Sequence, residues 1–255
     1  MDCATIAERL DAELDTTAYA ELDASANGLQ VGPGDADVDH VAFAVDAARA
    51  TVEAAAEAST DLLVTHHGLS WGGIDRVTGT AYRRIAPLIE NDVALYVSHL
   101  PLDGHQDLGN AAGIADLLGL RDRAPFGDVG GEVAGQRGRL PEPMGIETLR
   151  SRLSSDLDTG DGAVRALDFG PDRIRHVAVL TGSGTDWLDE AVDAGADVLV
   201  TGEAKQQVYH EAREAGIHVV LAGHYATETF GVRSLQALVD EWGLETTYLD
   251  HPTGI

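Results

Sequence analysis

The sequence predicts an α/β protein of two related α/β domains with mainly parallel sheets, derived from an internal duplication. Three observations lead there. Six short apolar runs, HVAFAV (40–45), DLLVT (61–65), VALYV (93–97), HVAVLT (176–181), DVLVT (197–201) and HVVLA (218–222), are continuous rather than alternating, as strands covered on both faces are. Ala-rich stretches with helical spacing lie between them, such as 47–58 and 187–194, and this alternation is the mark of βαβ units. The pattern also recurs: Asp61 falls on Asp197 and Thr65 on Thr201, each pair 136 residues apart. Further on, His99-x3-Asp103 after VALYV matches His224-x3-Glu228 after HVVLA at a spacing of 125. Strand followed by helix can recur through composition alone, and that alternative stays open.

Along the chain, MDCATIAERLDAELD reads as an acidic helix and not as a signal peptide. The first half is expected over 1–120 and the second over 121–255. Residues 121–172 are expected as a middle lobe that either completes the second domain or is inserted in it, with turns at Gly127–Gly131 and Gly160–Gly162 around two short strands, GEVAGQRGRL and AVRALDF. A helix is expected between these strands from Ile146 to Leu157. A last helix runs from Thr229 to Trp242, with Leu235, Leu238, Val239 and Trp242 on one face, followed by a short strand near TTYLD.

Composition bounds the function. The 255 residues carry 43 acids against 17 bases, a net charge of −26, and Lys205 is the single lysine. Self-repulsion of this size is screened by salt, which suggests a salt-adapted, halophilic cytoplasmic protein; an acidic protein of an ordinary cell is the other reading. Binding along a phosphate backbone needs a basic footprint and is disfavoured. One cysteine, Cys3, excludes an intramolecular disulfide and a multi-thiolate zinc site, so any metal must take nitrogen and oxygen ligands. No apolar stretch approaches the roughly 20 residues that span a membrane.

Three apolar runs lead directly into imidazoles and carboxylates: DLLVT into His66-His67-Gly68, VALYV into Ser98-His99-x3-Asp103-Gly104-His105, and HVVLA into Gly223-His224-x3-Glu228. Loops beyond the carboxyl ends of parallel strands gather on one edge, where ligands bind. His66 and His67 are neighbours and would point to opposite faces inside a strand. Placed just past its end, both can turn inward. One packed and one solvated histidine is the plainer alternative. Thr227 is expected to cap the following helix and leave Glu228 in its first turn, where the helix dipole alone would favour a carboxylate. Asp103 reads equally as a turn former. A mixed nitrogen and oxygen set suits zinc, iron or manganese rather than calcium. His66, His67, Asp103, His224 and Glu228 exceed the needs of one tetrahedral ion and suit two, which makes hydrolysis the expected chemistry.

With those motifs in view, and with Asn27-Gly28-Leu29-Gln30-Val31-Gly32, Leu102-Asp103-Gly104-His105, Gly182-Ser183-Gly184 and Thr201-Gly202-Glu203, the chain resembles the Nif-three-like family from end to end. Its bacterial members are often called GTP cyclohydrolase 1 type 2 homologs. The resemblance implies a dinuclear centre holding two divalent metal ions per chain, with its ligands falling on His66, His67, Asp103, His224 and Glu228. It also implies self-assembly into a toroidal homohexamer with the metal sites facing an inner cavity. His99 and His105 are not among those ligands. The repeat sets His99 opposite His224, so His99 is expected beside the metals as a proton-transfer residue, and Glu203 and Lys205 are expected to border the cavity. Gly182-Ser183-Gly184 is a weak phosphate-loop candidate, or simply a tight strand-to-helix turn. The functional expectation is a metal-dependent hydrolase acting on a small nucleotide-like molecule. The alternative is a non-catalytic, metal-binding or regulatory ring, and a ring threading nucleic acid is disfavoured by the charge.

Overall fold

The computed structural model describes all residues, 1–255. In chain order the elements are α1 (Cys3–Glu13), β1 (Gly28–Val31), β2 (His40–Asp46), α2 (Arg49–Glu57), β3 (Leu62–His67), α3 (Gly79–Glu90), β4 (Ala94–Val97), α4 (Leu100–Gly104), α5 (Asn110–Leu118), β5 (Arg121–Val129), β6 (Glu132–Met144) and α6 (Ile146–Asp156). They continue with β7 (Arg165–Leu167), β8 (Ile174–Val179), α7 (Leu188–Asp193), β9 (Val198–Thr201), α8 (Val208–Ala215), β10 (His218–Leu221), α9 (His224–Thr227), α10 (Thr229–Glu241) and β11 (Glu245–Tyr248). All six apolar runs are strands. No helix is long and apolar enough to cross a membrane.

The chain divides into two units, Met1–Leu102 with Gly231–His251, and Asp103–Phe230 with Pro252–Ile255. The division therefore differs from halves at 1–120 and 121–255. It falls inside α4, so Asp103 opens the second unit, and most of α10 together with β11 returns to the first. The physical cause is long-range pairing: β11 extends the first sheet beside β2, with Glu245 opposite His40 and Tyr248 opposite Phe43. Gly231, Val232, Leu235 and Val239 are the residues of α10 that bury, while Leu238 and Trp242 stay partly exposed. Arg9 stacks on the Trp242 ring at 3.7 Å.

In the first unit the strand order is β1-β4-β3-β2-β11, parallel except for the β1–β4 pair. Its core gathers Ala42, Ala44, Val52, Leu63, Leu88, Leu95 and Val97 from the continuous apolar runs and their flanking helices. The second sheet has the order β5-β6-β8-β9-β10-β7. It is mixed rather than mainly parallel, because β5–β6, β6–β8 and β10–β7 are antiparallel around the parallel trio β8, β9 and β10. The middle lobe thus supplies strands to the second sheet. Ile114, Leu118, Leu149, Val177, Val200 and Val220 are among its core residues.

The duplication is visible in the hydrogen bonds. Val41, Ala42 and Phe43 pair with Leu62, Leu63 and Val64, and Val177, Ala178 and Val179 pair with Val198, Leu199 and Val200, the same register 136 residues on. Asp61 accepts from the amides of Asp39 and His40 at 2.9 Å each. Asp197 accepts from those of Arg175 and His176 at 2.7 and 2.8 Å. For the third strand the ladder sets a different frame. Thr65 pairs with Val97 and Thr201 with Leu221, a spacing of 124. The structural counterpart of His99 is therefore Gly223, and His99 and His224 are one residue out of register.

Candidate metal centre

In the first unit the parallel strands β2, β3 and β4 end on one edge, and each ending brings an imidazole or a carboxylate to it. The β4 side of β3 is laddered only as far as Thr65, where Ser98 donates its amide to the Thr65 carbonyl. His66 and His67 follow as the last two residues of β3, inside the strand rather than just past it. Their rings nonetheless lie close, with centroids 4.6 Å apart. His66 is fully buried, and its Nδ1 donates to the Ser98 carbonyl at 2.9 Å. Asp46, the last residue of β2, accepts from His67 Nδ1 at 2.8 Å. His99 donates from Nδ1 to both oxygens of Asp23, at 2.9 and 3.1 Å. Each Nδ1–H is used in this way, and Nε2 is then the ring nitrogen whose lone pair suits a metal. Ring nitrogens of His66, His67 and His99 lie within 4.8 Å of one another.

Asp23 is an orienting acceptor that the sequence reading missed. Its carboxylate also receives the Asn27 side-chain amide and the backbone amides of Ser25 and Leu100. Burial alone would raise its pKa, but the bond and charge of His99, with Asn27 and Ser25, outweigh this and hold it at about 2. The carboxylate therefore stays ionised against His99. Trp71 completes this edge, its ring edge-on to His99 at 4.9 Å and 5.9 Å from His67.

In the second unit the ends of β8, β9 and β10 carry Thr181-Gly182, Gly202-Glu203 and Gly223-His224. Asp103 is buried in α4, where its Oδ1 accepts from Asn110 at 2.8 Å and Thr181 at 3.2 Å, so it is fixed rather than forming a solvated turn. Glu228 is 3% exposed and sits between α9 and α10. Carboxylate oxygens of Asp103 and Glu228 lie within 4.8 Å of one another. Two buried carboxylates at that separation repel unless a proton or a cation joins them.

His224 stands between two acids, with Nε2 3.2 Å from Glu228 and Nδ1 3.1 Å from Glu203. Only an imidazolium can donate from both nitrogens. Burial would lower its pKa, yet Glu228 and then Glu203 raise it to about 9. Glu203 is lowered, first by its bond from Ser183 and then by His224.

Glycines clear the space for this arrangement. Gly182 has φ +57°, and a Cβ there would overlap Glu228 Oε1 and lie 3.1 Å from His224 Nε2. A Cβ on Gly202 would meet the His224 backbone at 2.6 Å.

Several expectations change on this geometry. Gly182-Ser183-Gly184 is a tight turn whose two glycine amides are already used, Gly182 to Thr227 Oγ1 and Gly184 to Thr201 Oγ1. Thr227 does not cap α10; it lies in α9, and its hydroxyl donates back to the carbonyl of Gly223 or His224. Glu228 precedes α10 instead of lying in its first turn. Lys205 is taken up by Asp186 at 2.6 Å, while Glu203 does reach the site, as the acceptor for His224. His105 closes a local turn, its Nδ1 accepting from the amides of Asp107 and Leu108.

Comparison with known proteins agrees with the resemblance carried by these motifs. A Halobacterium salinarum protein called GTP cyclohydrolase 1 type 2 homolog is 56% identical over 255 residues, covering 100% of both chains. An Archaeoglobus fulgidus protein of the same name is 40% identical over 256 residues, again covering 100% of both. The crystal structure of a Thermus thermophilus protein matches with a TM-score of 0.90 at 38% identity over 100% of both chains. The model of the family described as Duf34/NIF3 (NGG1p interacting factor 3) matches residues 1–253, and the chain belongs to that family.

Proposed function

We propose that this chain is a dinuclear-metal-binding protein that hydrolyses a nucleotide-like substrate. Its ligands would be His66, His67, Asp103, His224 and Glu228, and zinc, iron or manganese would be the two ions. The observation that carries the reading is the pair His66 and His67, each held through Nδ1, whose nitrogens converge within 4.8 Å with His99 beside them. A carbonyl or carboxylate on the far nitrogen is what a metal-binding imidazole uses to fix its tautomer. The buried carboxylates of Asp103 and Glu228 add the negative charge that a divalent pair requires.

When bound, such a pair polarises a substrate oxygen and makes water acidic enough to attack at neutral pH. The chain's own residues prepare for this. The Ser98 carbonyl, Asp46 and Glu203 aim His66, His67 and His224. Asn110 and Thr181 hold Asp103. His99, backed by ionised Asp23, is the proposed proton-transfer residue beside the ligands. The nucleotide class is supported by the name of the relatives.

The test is elemental analysis of protein purified without chelators, followed by a panel of nucleotides, GTP included, and phosphoesters on the same sample. Turnover should vanish on chelation and in His67→Ala. Turnover that survives removal of all metal overturns the reading. A second reading, a metal-binding or regulatory ring without turnover, is supported by the family description, which refers to an interaction rather than a reaction. Fully metallated protein inert across the panel would favour it. Both readings include self-association into a toroidal hexamer, which light scattering would check.

A further inference from the structure

The acidity of this chain is not uniform. Between Leu62 and Ile89 there is one acid, Asp75, against three arginines, Arg76, Arg83 and Arg84, in a chain where acids outnumber bases 43 to 17. This inverted stretch borders a cavity of about 800 Å³ in the first unit, lined among others by Leu69, Gly73, Asp75, Arg76, Thr80 and Arg84. Four arginines elsewhere pair with nearby acids, Arg49 with Glu53, Arg123 with Asp116, Arg139 with Asp122 and Arg150 with Glu147, while Arg152 and Arg173 donate to backbone carbonyls. Arg76 and Arg84 form no such pair, and Arg84 Nε is buried with no hydrogen-bond partner. A buried guanidinium N–H without an acceptor is costly and is relieved by an oxyanion that accepts from it. Within so negative a chain an anion will not gather by long-range attraction. It needs a local cationic pocket, and this cavity supplies one.

The cavity is also connected to the histidines through the chain. Leu69 and Gly73, both in its lining, stand two residues either side of Trp71, a residue that is 47% exposed and whose ring lies 4.9 Å from that of His99. We propose that the cavity is an anion site that takes the phosphate chain of a nucleotide-class ligand, with Arg84 and Arg76 as its cations. The ligand's class rests on the function proposed above, but anion binding is separable from turnover.

The test is calorimetric titration of the full-length protein with inorganic pyrophosphate and with GTP at low salt, for wild type, Arg84→Gln, Arg76→Gln, Arg84→Lys and His67→Ala. Circular dichroism on each variant confirms folding. Loss of either guanidinium should weaken pyrophosphate and GTP by about tenfold or more, the order for one charge-assisted bond. Arg84→Lys keeps the charge without the fork and should lose less. His67→Ala should bind pyrophosphate within about twofold of wild type, since this site does not use the metal ligands. The proposal falls if wild type fails to bind pyrophosphate at millimolar concentration, if both Gln variants bind as wild type does, or if His67→Ala abolishes binding. Binding lost in the arginine variants from a protein with no turnover would sink the hydrolase reading and leave this one standing.

Discussion

Replacing Gly182 with alanine separates two costs that the structure places on one residue. At φ +57° a side chain enters the left-handed region, at about 1–2 kcal/mol for a non-glycine residue. The new Cβ would also overlap Glu228 Oε1 and crowd His224 Nε2 at 3.1 Å. Glu228 is 3% exposed and has no solvent to swing into, so this overpacking adds about 1–3 kcal/mol more. Gly195 is the control. Its φ is +72°, but nothing lies within 4 Å of its Cβ position, so Gly195→Ala carries the backbone cost alone. Denaturant unfolding should place Gly182→Ala roughly 1–3 kcal/mol below Gly195→Ala. Metal content after dialysis should fall in Gly182→Ala and stay at the wild-type level in Gly195→Ala. If the two variants match in both stability and metal content, the packing of Glu228 and His224 against Gly182 is not what holds the site.

Asp46→Asn keeps the shape beside His67 and removes the charge that fixes its tautomer; metal affinity measured by competition with a chromogenic chelator should drop about 10–100-fold, and an unchanged affinity would remove Asp46 from the site. Because the pKa of His224 is raised from 6.5 to about 9, its contribution to metal-free stability is full below pH 6.5 and is lost as pH rises through 9, a change on the order of 3 kcal/mol. Metal must displace that proton, so calorimetry in buffers of different ionisation enthalpy should register about one more proton released at pH 7 than at pH 9.5. Proton release that is equal at both pH values would refute the assignment. Asp61→Ala and Asp197→Ala each orphan two backbone amides and should cost the same, about 1–3 kcal/mol apiece in denaturant unfolding. A large effect from one and none from the other would contradict the shared frame.

The strands that position the site were legible because each is a continuous apolar run that ends where its polar residues begin. β5 was not, since RDRAPFGDV keeps one face in solvent and buries only Phe126 and Gly127 fully. β1 was missed for its brevity and for Gly28, and α3 for the proline it carries at Pro87. The return of β11 to the first sheet has no local signature; its pairing with β2 joins residues about two hundred positions apart. Among the site residues, the proposed ligands follow apolar runs and were visible for that reason. Their acceptors were harder to see. Asp46 closes β2 and could have been read from its place at a strand end, whereas Asp23 is tied to His99 only by a loop whose path no periodicity reveals.

The shared strand register sharpens what duplication did to the chemistry. Carried 136 residues forward, Asp46 falls on Gly182, His66 on Gly202 and His67 on Glu203. In the first unit the end of β2 holds the orienting carboxylate, and the end of β3 holds the imidazoles. In the second unit the loop after β9 holds the orienting carboxylate, Glu203, and the imidazole has moved one strand along to His224. Gly182 and Gly202 stand where a side chain at either position would collide with Glu228 or with the His224 backbone. The two copies therefore keep the ladder and shift acid and base one strand along it. The match between His99 and His224 is misplaced for a separate reason: the motif His-x3-acid recurs, but the strands beneath it set a spacing of 124 rather than 125. The likeness of the two motifs thus sits one residue off the inherited frame, and Gly223, with φ +94°, is the residue that holds the place of His99.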